Sequence, residues 1–193
     1  MSPAVEPRTA SIVVVTAETP PALVVPGALS TRRFTAVEGG PAHMALHEVA
    51  APPSREDAAW AERVRGLDAA ARVLVYRQIF PTAGVVRGTA WGDGTTPLGA
   101  LLMVRTDVAP ENERDYNAWY DEEHLFTLTK VPGVISARRF RAVEGAPPYL
   151  ALYELVAPEV QATDTWQAAN RTPWAVRARG HFTARWRTVY RPA

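Results

Sequence analysis

The sequence has no cysteine and a single lysine, Lys130. The first absence removes disulfides, thiolate nucleophiles and zinc–sulfur centres. The second leaves Schiff-base chemistry one candidate amine, and nothing around Lys130 suggests that use. Long apolar runs are missing too: no stretch approaches the roughly 20 residues that a membrane helix needs. Glu6 and Pro7 stand where a secretory signal would carry its apolar core, so a cytoplasmic protein is expected rather than an exported one. Neither HExxH nor HxH spacing occurs, and no metal site is expected. GxGxxG, P-loop, GxSxG and an ordered Ser-His-Asp set are equally missing, which leaves nucleotide use and serine hydrolysis without support. With a formal net charge of +1 and scattered arginines, there is no basic footprint for nucleic acid. No cofactor is expected; the partner class that remains is a small molecule.

What the chain does have is a repeat. VPGALSTRRFTAVEGGPAHMALHEVAAP, from Val25 to Pro52, aligns without a gap with VPGVISARRFRAVEGAPPYLALYELVAP, from Val131 to Pro158. The offset is 106 residues and 17 of 28 pairs are identical. Trp60 and Trp166 keep the same offset. Such a period must be recognised before any fold is proposed.

Each copy reads alike. Pro-Gly opens a strand through Arg32-Arg33-Phe34 or Arg138-Arg139-Phe140, and Glu-Gly (38–39, 144–145) makes a hairpin connection. A second strand follows, Ala42–Val49 or Tyr149–Val156. Ser54-x-x-Asp57 resembles a capping box for a helix carrying Trp60, Val64 and Leu67 at i, i+4 and i+7. Final strands are Arg72–Phe80 and Phe182–Tyr190, with Trp186 and Tyr190 on one face. The opening strands are Ser11–Thr16 and Ala100–Thr106. From that strand's threonine to Pro-Gly there are 10 residues in the first copy and 26 in the second, where a helix from Pro110 towards Lys130 fits. The difference is about 24 Å of helix at 1.5 Å per residue. The second copy is therefore β-α-β-β-α-β, a ferredoxin-like unit, and the first lacks its first helix. The expected division is an arm (1–9), a truncated repeat (10–84), a Gly/Thr-rich linker (85–97) and a complete repeat (98–193). The expected fold class is α+β. Two such sheets bury their bare faces against each other in one intramolecular α+β barrel, a pseudo-dimer with further homodimerisation left open.

Chemistry concentrates in Asn117-Ala118-Trp119-Tyr120-Asp121-Glu122-Glu123-His124, within the helix that only the second copy has. Tyr120 and His124 lie at i, i+4 on one helix face, with Asn117 a turn earlier. Histidine titrates near neutrality and, beside a phenol, moves protons on and off carbon or oxygen. Consecutive carboxylates point about 100° apart, so one at most orients His124; Glu123 is the choice, with Trp119 covering that face. Of each arginine pair at most one member faces inward. Their recurrence in the copy without the helix argues for a structural role, such as a salt bridge to Glu144 or Glu154. An inward Arg138 stays a candidate for binding an enolate, phenolate or carboxylate. Tyr149 and Tyr153 share a strand face, and their counterparts are His43 and His47. Two histidines about 13 Å apart cannot share a metal.

The pattern Trp119-Tyr120-Asp121-Glu122-Glu123-His124-Leu125, then Val131–Phe140, then Tyr149–Leu155, resembles the EthD-like branch of the dimeric α+β barrel superfamily. The resemblance spans roughly 98–192 and, truncated, 11–84. It implies a barrel between two ferredoxin-like sheets and a pocket between sheet and helices, of which only the second copy keeps one. It also implies muconolactone-isomerase, polyketide-cyclase or cofactor-free oxygenase chemistry, with haem binding a distant relation. The expected activity is cofactor-independent acid–base catalysis, isomerase, cyclase or dehydratase in type, on a small cyclic, aromatic or polyketide-like metabolite. His124 is then the acid or base, Tyr120 the oxyanion donor and Glu123 the orienting carboxylate. Asn117, Trp119, Arg138, Tyr149, Tyr153 and Trp186 are the substrate-binding candidates. The alternatives are a non-catalytic binding or assembly protein and a cofactor-free monooxygenase.

Overall fold

The computed structural model describes residues 11–54, 56–143, 145 and 147–193; the arm and Glu144 lie outside the described residues. In chain order come β1 (Ser11–Ala17), β2 (Ala28–Glu38), β3 (His43–Val49), α1 (Ala58–Arg65), β4 (Arg72–Phe80) and the two-residue β5 (Val86–Arg87). The second half follows with β6 (Ala100–Val108), α2 (Glu113–Trp119), a π-helical turn (Tyr120–His124) and α3 (Leu125–Thr129). It ends with β7 (Val134–Ala142), β8 (Tyr149–Leu155), α4 (Asp164–Ala169), α5 (Pro173–Arg179) and β9 (Phe182–Pro192).

The strands run β4-β1-β3-β2-β9-β6-β8-β7, and β4 pairs back onto β7. The result is a closed, eight-stranded antiparallel barrel in an α+β fold. The order within the first four strands recurs in the second four. The seams are antiparallel: Phe34 faces Pro192 and Thr35 faces Arg191 on one side, Tyr76 faces Ala142 and Gln78 faces Phe140 on the other. Closure leaves no open edge among these eight strands, which removes the usual aggregation hazard of a sheet. The expected linker is not wholly irregular, because Val86 and Arg87 pair with Ala137 and Ser136 of β7.

Strand alternation sorts each side chain to one of two faces. Ile12, Val14, Phe34, Met44, Tyr76, Leu101, Met103, Phe140, Leu152 and Tyr190 fill the barrel interior. Outside the first half, Val13, Val15, Ala45 and Val49 pack under Trp60 of α1. No helix stands between β1 and β2. Leu23 and Val25 of that irregular segment cover the sheet instead. Outside the second half, Leu102, Val104, Ala151 and Tyr153 pack under Trp119, Leu128 and Trp166. Burial on both faces explains why β1 and β8 read as nearly continuous apolar runs. Helix α1 is capped by Asp57, which accepts from the Ala59 and Trp60 amides, rather than by Ser54.

The arginine pairs split between the faces. Arg32 and Arg138 turn into the barrel, Arg139 turns out to the helix above the second-half sheet, and Arg33 turns out to donate to the Pro21 carbonyl at 2.5 Å. Inside, Arg138 donates to Glu48 at 2.9 Å and Arg32 to Glu154 at 2.7 Å. Ser136 donates to Glu154 at 2.5 Å, and Arg32 also approaches Glu48 at 3.5 Å. Each principal ion pair joins one half of the chain to the other. Arg138 is thus an interior ion-pair partner.

One glycine sets how closely two strands approach. The Gly99 amide donates to the Leu155 carbonyl at 2.9 Å, and a Cβ there would lie 1.8 Å from the Val156 carbonyl oxygen. Gly99→Ala is expected to part the start of β6 from β8 and cost on the order of 2–3 kcal/mol, within the usual range for overpacking. An unchanged urea midpoint would refute this.

Candidate functional site

The stretch from Tyr120 to His124 is a π-turn between two α-helical pieces, not a uniform α-helix. Its closing bond runs from the Leu125 amide to the Tyr120 carbonyl. The widened turn brings residues five apart onto one face. Trp119 and His124 therefore stack, with ring centroids 4.1 Å apart and planes at 28°. Tyr120 meets the same imidazole edge-on at 4.9 Å, and Tyr153 of β8 stands 6.5 Å away. Trp166 of α4 closes against Tyr153 at 5.5 Å.

These rings wall a cavity of about 30 Å³, between the outer face of the second-half sheet and the helices. A space of that size holds a water or two, or the head group of a larger ligand. Arg179 of α5 and Arg185 and Arg187 of β9 complete it, with Asn170 following α4. No carboxylate is among its lining residues. Asn170 accepts a hydrogen bond from Arg179. Arg187 is tied to Glu38 at 2.9 Å and to Gln161, whereas Arg185 has no ion pair with any described residue.

Burial sets the protonation states. His124 is 5% exposed, and desolvation holds its pKa well below the ordinary value; Arg179, Arg139 and Arg185 push it the same way. The imidazole is neutral at neutral pH and ready to accept a proton. Burial raises Tyr120, partly offset by Arg139 and Arg185. It raises Tyr153 strongly, with the nearby Tyr120 adding to the shift. Both phenols stay protonated and serve as donors.

Three of the expected site residues line this cavity with His124: Trp119, Tyr120 and Tyr153. Four others do not. Asn117 and Tyr149 bond each other at 3.0 Å, and the Asn117 oxygen accepts from Arg139 at 2.8 Å, so both serve packing beneath α2. Trp186 stands on the other face of β9, half exposed, over Arg105. Arg138 is inside the barrel, as described. Glu123 does not orient His124: one residue back on the turn, it points to α5 and accepts from Thr172 at 2.6 Å. Arg139 carries more than its pairing suggested. It bonds Asp121 at 2.5 Å and lies 4.2 Å over the Tyr120 ring, which fixes that phenol from behind. Arg179 and Arg185 had one weak sequence signal, the alternation along β9. Choosing Trp186 as a substrate-binding candidate put the opposite face of β9 on the pocket and left Arg185 out.

No protein-family model and no curated protein matches this chain. Solved structures do. An anthrone oxidase-like protein superposes with a TM-score of 0.63 at 12% identity, covering 95% of this chain and 90% of its own. A monooxygenase-like protein from Listeria innocua gives 0.55 at 11%, over 96% and 95%. A haem-degrading enzyme from Listeria monocytogenes gives 0.52 at 11%, over 94% and 98%. What they share with this chain is an α+β fold. At such identities the likeness extends to fold alone. Among the described residues, no helix is long and apolar enough to cross a membrane, and no group of three or more His, Cys, Asp or Glu side chains is placed to hold a metal ion.

Proposed function

We propose that this chain is a cofactor-independent acid–base enzyme acting on a small cyclic, aromatic or polyketide-like metabolite. The observation that carries the reading is a buried imidazole sharing one cavity with two buried phenols, with burial favouring the neutral form of all three. His124 takes a proton from a carbon or oxygen acid, and Tyr120 and Tyr153 donate hydrogen bonds to the oxyanion that results. Returning the proton elsewhere on the substrate gives isomerisation or cyclisation. The reading includes an origin by tandem duplication, in which the first ferredoxin-like repeat (10–84) lost its helix and its site while the second (98–193) kept both. What supports that origin is the 106-residue repeat with the recurring strand order. The EthD-like branch and a cytoplasmic location belong to the same proposal.

The test is proton exchange. Cyclic β-dicarbonyl compounds incubated in D2O and followed by NMR should exchange faster with the protein than without it. His124→Asn should lower that acceleration by about 10²–10⁴-fold, the usual worth of a general base. Because the imidazole stays neutral, the acid limb of activity should lie well below pH 6.5, the ordinary histidine value being about that. Equal rates in wild type and His124→Asn would remove the imidazole from the reaction.

A second reading rests on the likeness to anthrone oxidase-like and monooxygenase-like structures. The same deprotonation of a hydroxyaromatic ring would hand its electrons to dioxygen, and oxygen uptake with such a substrate distinguishes the two. A haem does not fit beside His124, whose ring is stacked on Trp119 in a cavity of about 30 Å³.

A further inference from the structure

The cavity's polar groups are unequal in kind. Arg179 and Arg185 are obligatory donors. Trp119 Nε1 and Tyr153 OH, on residues only 1% exposed, have no hydrogen-bond partner among the described residues. Buried donors without partners are costly, at about 1–3 kcal/mol each, and ask for an explanation. The cavity offers few acceptors in return: the imidazole, the phenol oxygens of Tyr120 and Tyr153, and an Asn170 oxygen already held by Arg179. Charge is equally one-sided, since arginines line this space and no carboxylate does. Some arginines elsewhere find carboxylates, as Arg138 finds Glu48 and Arg177 finds Asp115. Here Arg185, exposed at the mouth, has none among the described residues.

We propose that the missing partner is a planar oxyanion attached to an aromatic or other unsaturated ring, a carboxylate or a phenolate, with Arg179 and Arg185 as its clamp. This rests on the functional reading of the same cavity and specifies its ligand. The small volume takes the anionic head, which meets the guanidinium groups and the Tyr153 hydroxyl. The ring stays at the mouth against Trp166 and Phe182, which line it. Guanidinium groups match planar oxyanions in a way that ammonium groups do not.

The experiment titrates the full-length protein with benzoate, 4-nitrophenolate and benzamide. Quenching of tryptophan fluorescence reports binding, because Trp119 and Trp166 border the cavity. Benzamide has nearly the shape of benzoate without its charge. Benzoate or 4-nitrophenolate is expected to bind at least about tenfold tighter than benzamide, and which of the two does so identifies the head group. Arg185→Gln should lose about tenfold for the anion and nothing for benzamide. Arg185 is exposed, so the variant should fold; Arg72→Gln, an exposed change in the first half, controls for general charge. Equal binding of benzoate and benzamide, or undiminished anion binding in Arg185→Gln, would overturn the proposal. The two readings fail separately. Loss of exchange in His124→Asn without charge-selective binding retains the acid–base role and removes the anion clamp. Charge-selective binding with full exchange in His124→Asn does the reverse.

Discussion

Glu48→Ala is expected to destabilise the protein by about 3–5 kcal/mol, the cost of leaving a buried charge without its partner. The charge is Arg138, 2% exposed inside the barrel, where Glu48 accepts from it at 2.9 Å. Burial already pulls this guanidinium below its ordinary pKa, while Glu48 and Glu154 hold it up. One of its terminal nitrogens has no partner even in the intact protein, so the variant has little in reserve. Glu154 offers little compensation, because Arg32 and Ser136 already engage both its oxygens. Replacing Glu48 and Arg138 together with methionine should recover most of the loss, since a buried ion pair often gives way to apolar packing at little cost. Urea unfolding of the two single variants and the double variant measures the coupling. A Glu48→Ala protein within 1 kcal/mol of wild type would show that water or a rearranged Arg138 meets the charge.

This network marks where the sequence was legible and where it was not. The repeat placed nearly every strand, because a gapless offset carries alternation and turn glycines along with it. The positive φ of Gly27 and Gly133, and of Gly39 and Gly145, is one consequence. Salt bridging to Glu154 was also within reach. What the repeat could not show was that Arg32, not Arg138, would bond it, because closing the barrel exchanges partners between halves. The π-turn was equally hidden: nothing in Tyr120–His124 distinguishes a widened turn from a regular one, yet it puts Trp119 rather than Glu123 against His124. Cavity residues from α5 and β9 depend on the direction β9 presents. Val189 and Tyr190 are both fully buried, so burial does not reveal that direction from the pattern alone.

Alkali is expected to unfold this protein steeply between about pH 10 and 12, and the tyrosines are the reason. All six are buried, and burial raises every one of them: Tyr76 and Tyr190 to about 12, with Tyr116, Tyr120, Tyr149 and Tyr153 also above the ordinary value. A raised folded pKa means that above about pH 10 the unfolded chain binds fewer protons than the native one. Stability then falls as pH rises, by about 1.4 kcal/mol per pH unit for each tyrosine that must ionise. The acid side mirrors it. Burial lowers His124 and His47, with arginines assisting, so the unfolded chain binds more protons below about pH 6.5 and stability falls as pH drops. A plateau between about pH 6.5 and 10 follows. Urea midpoints across this range, with phenolate absorbance recorded in parallel, check it. Phenolate should stay low through pH 10 and then rise together with loss of structure. Tyr153→Phe is the sharpest variant, because its hydroxyl has no partner to lose. It should equal or exceed wild type in stability at neutral pH and outlast it in alkali. Gradual phenolate formation near pH 10 in a folded protein would mean that solvent reaches these rings, and that the cavity beside His124 is far more open than its aromatic walls imply.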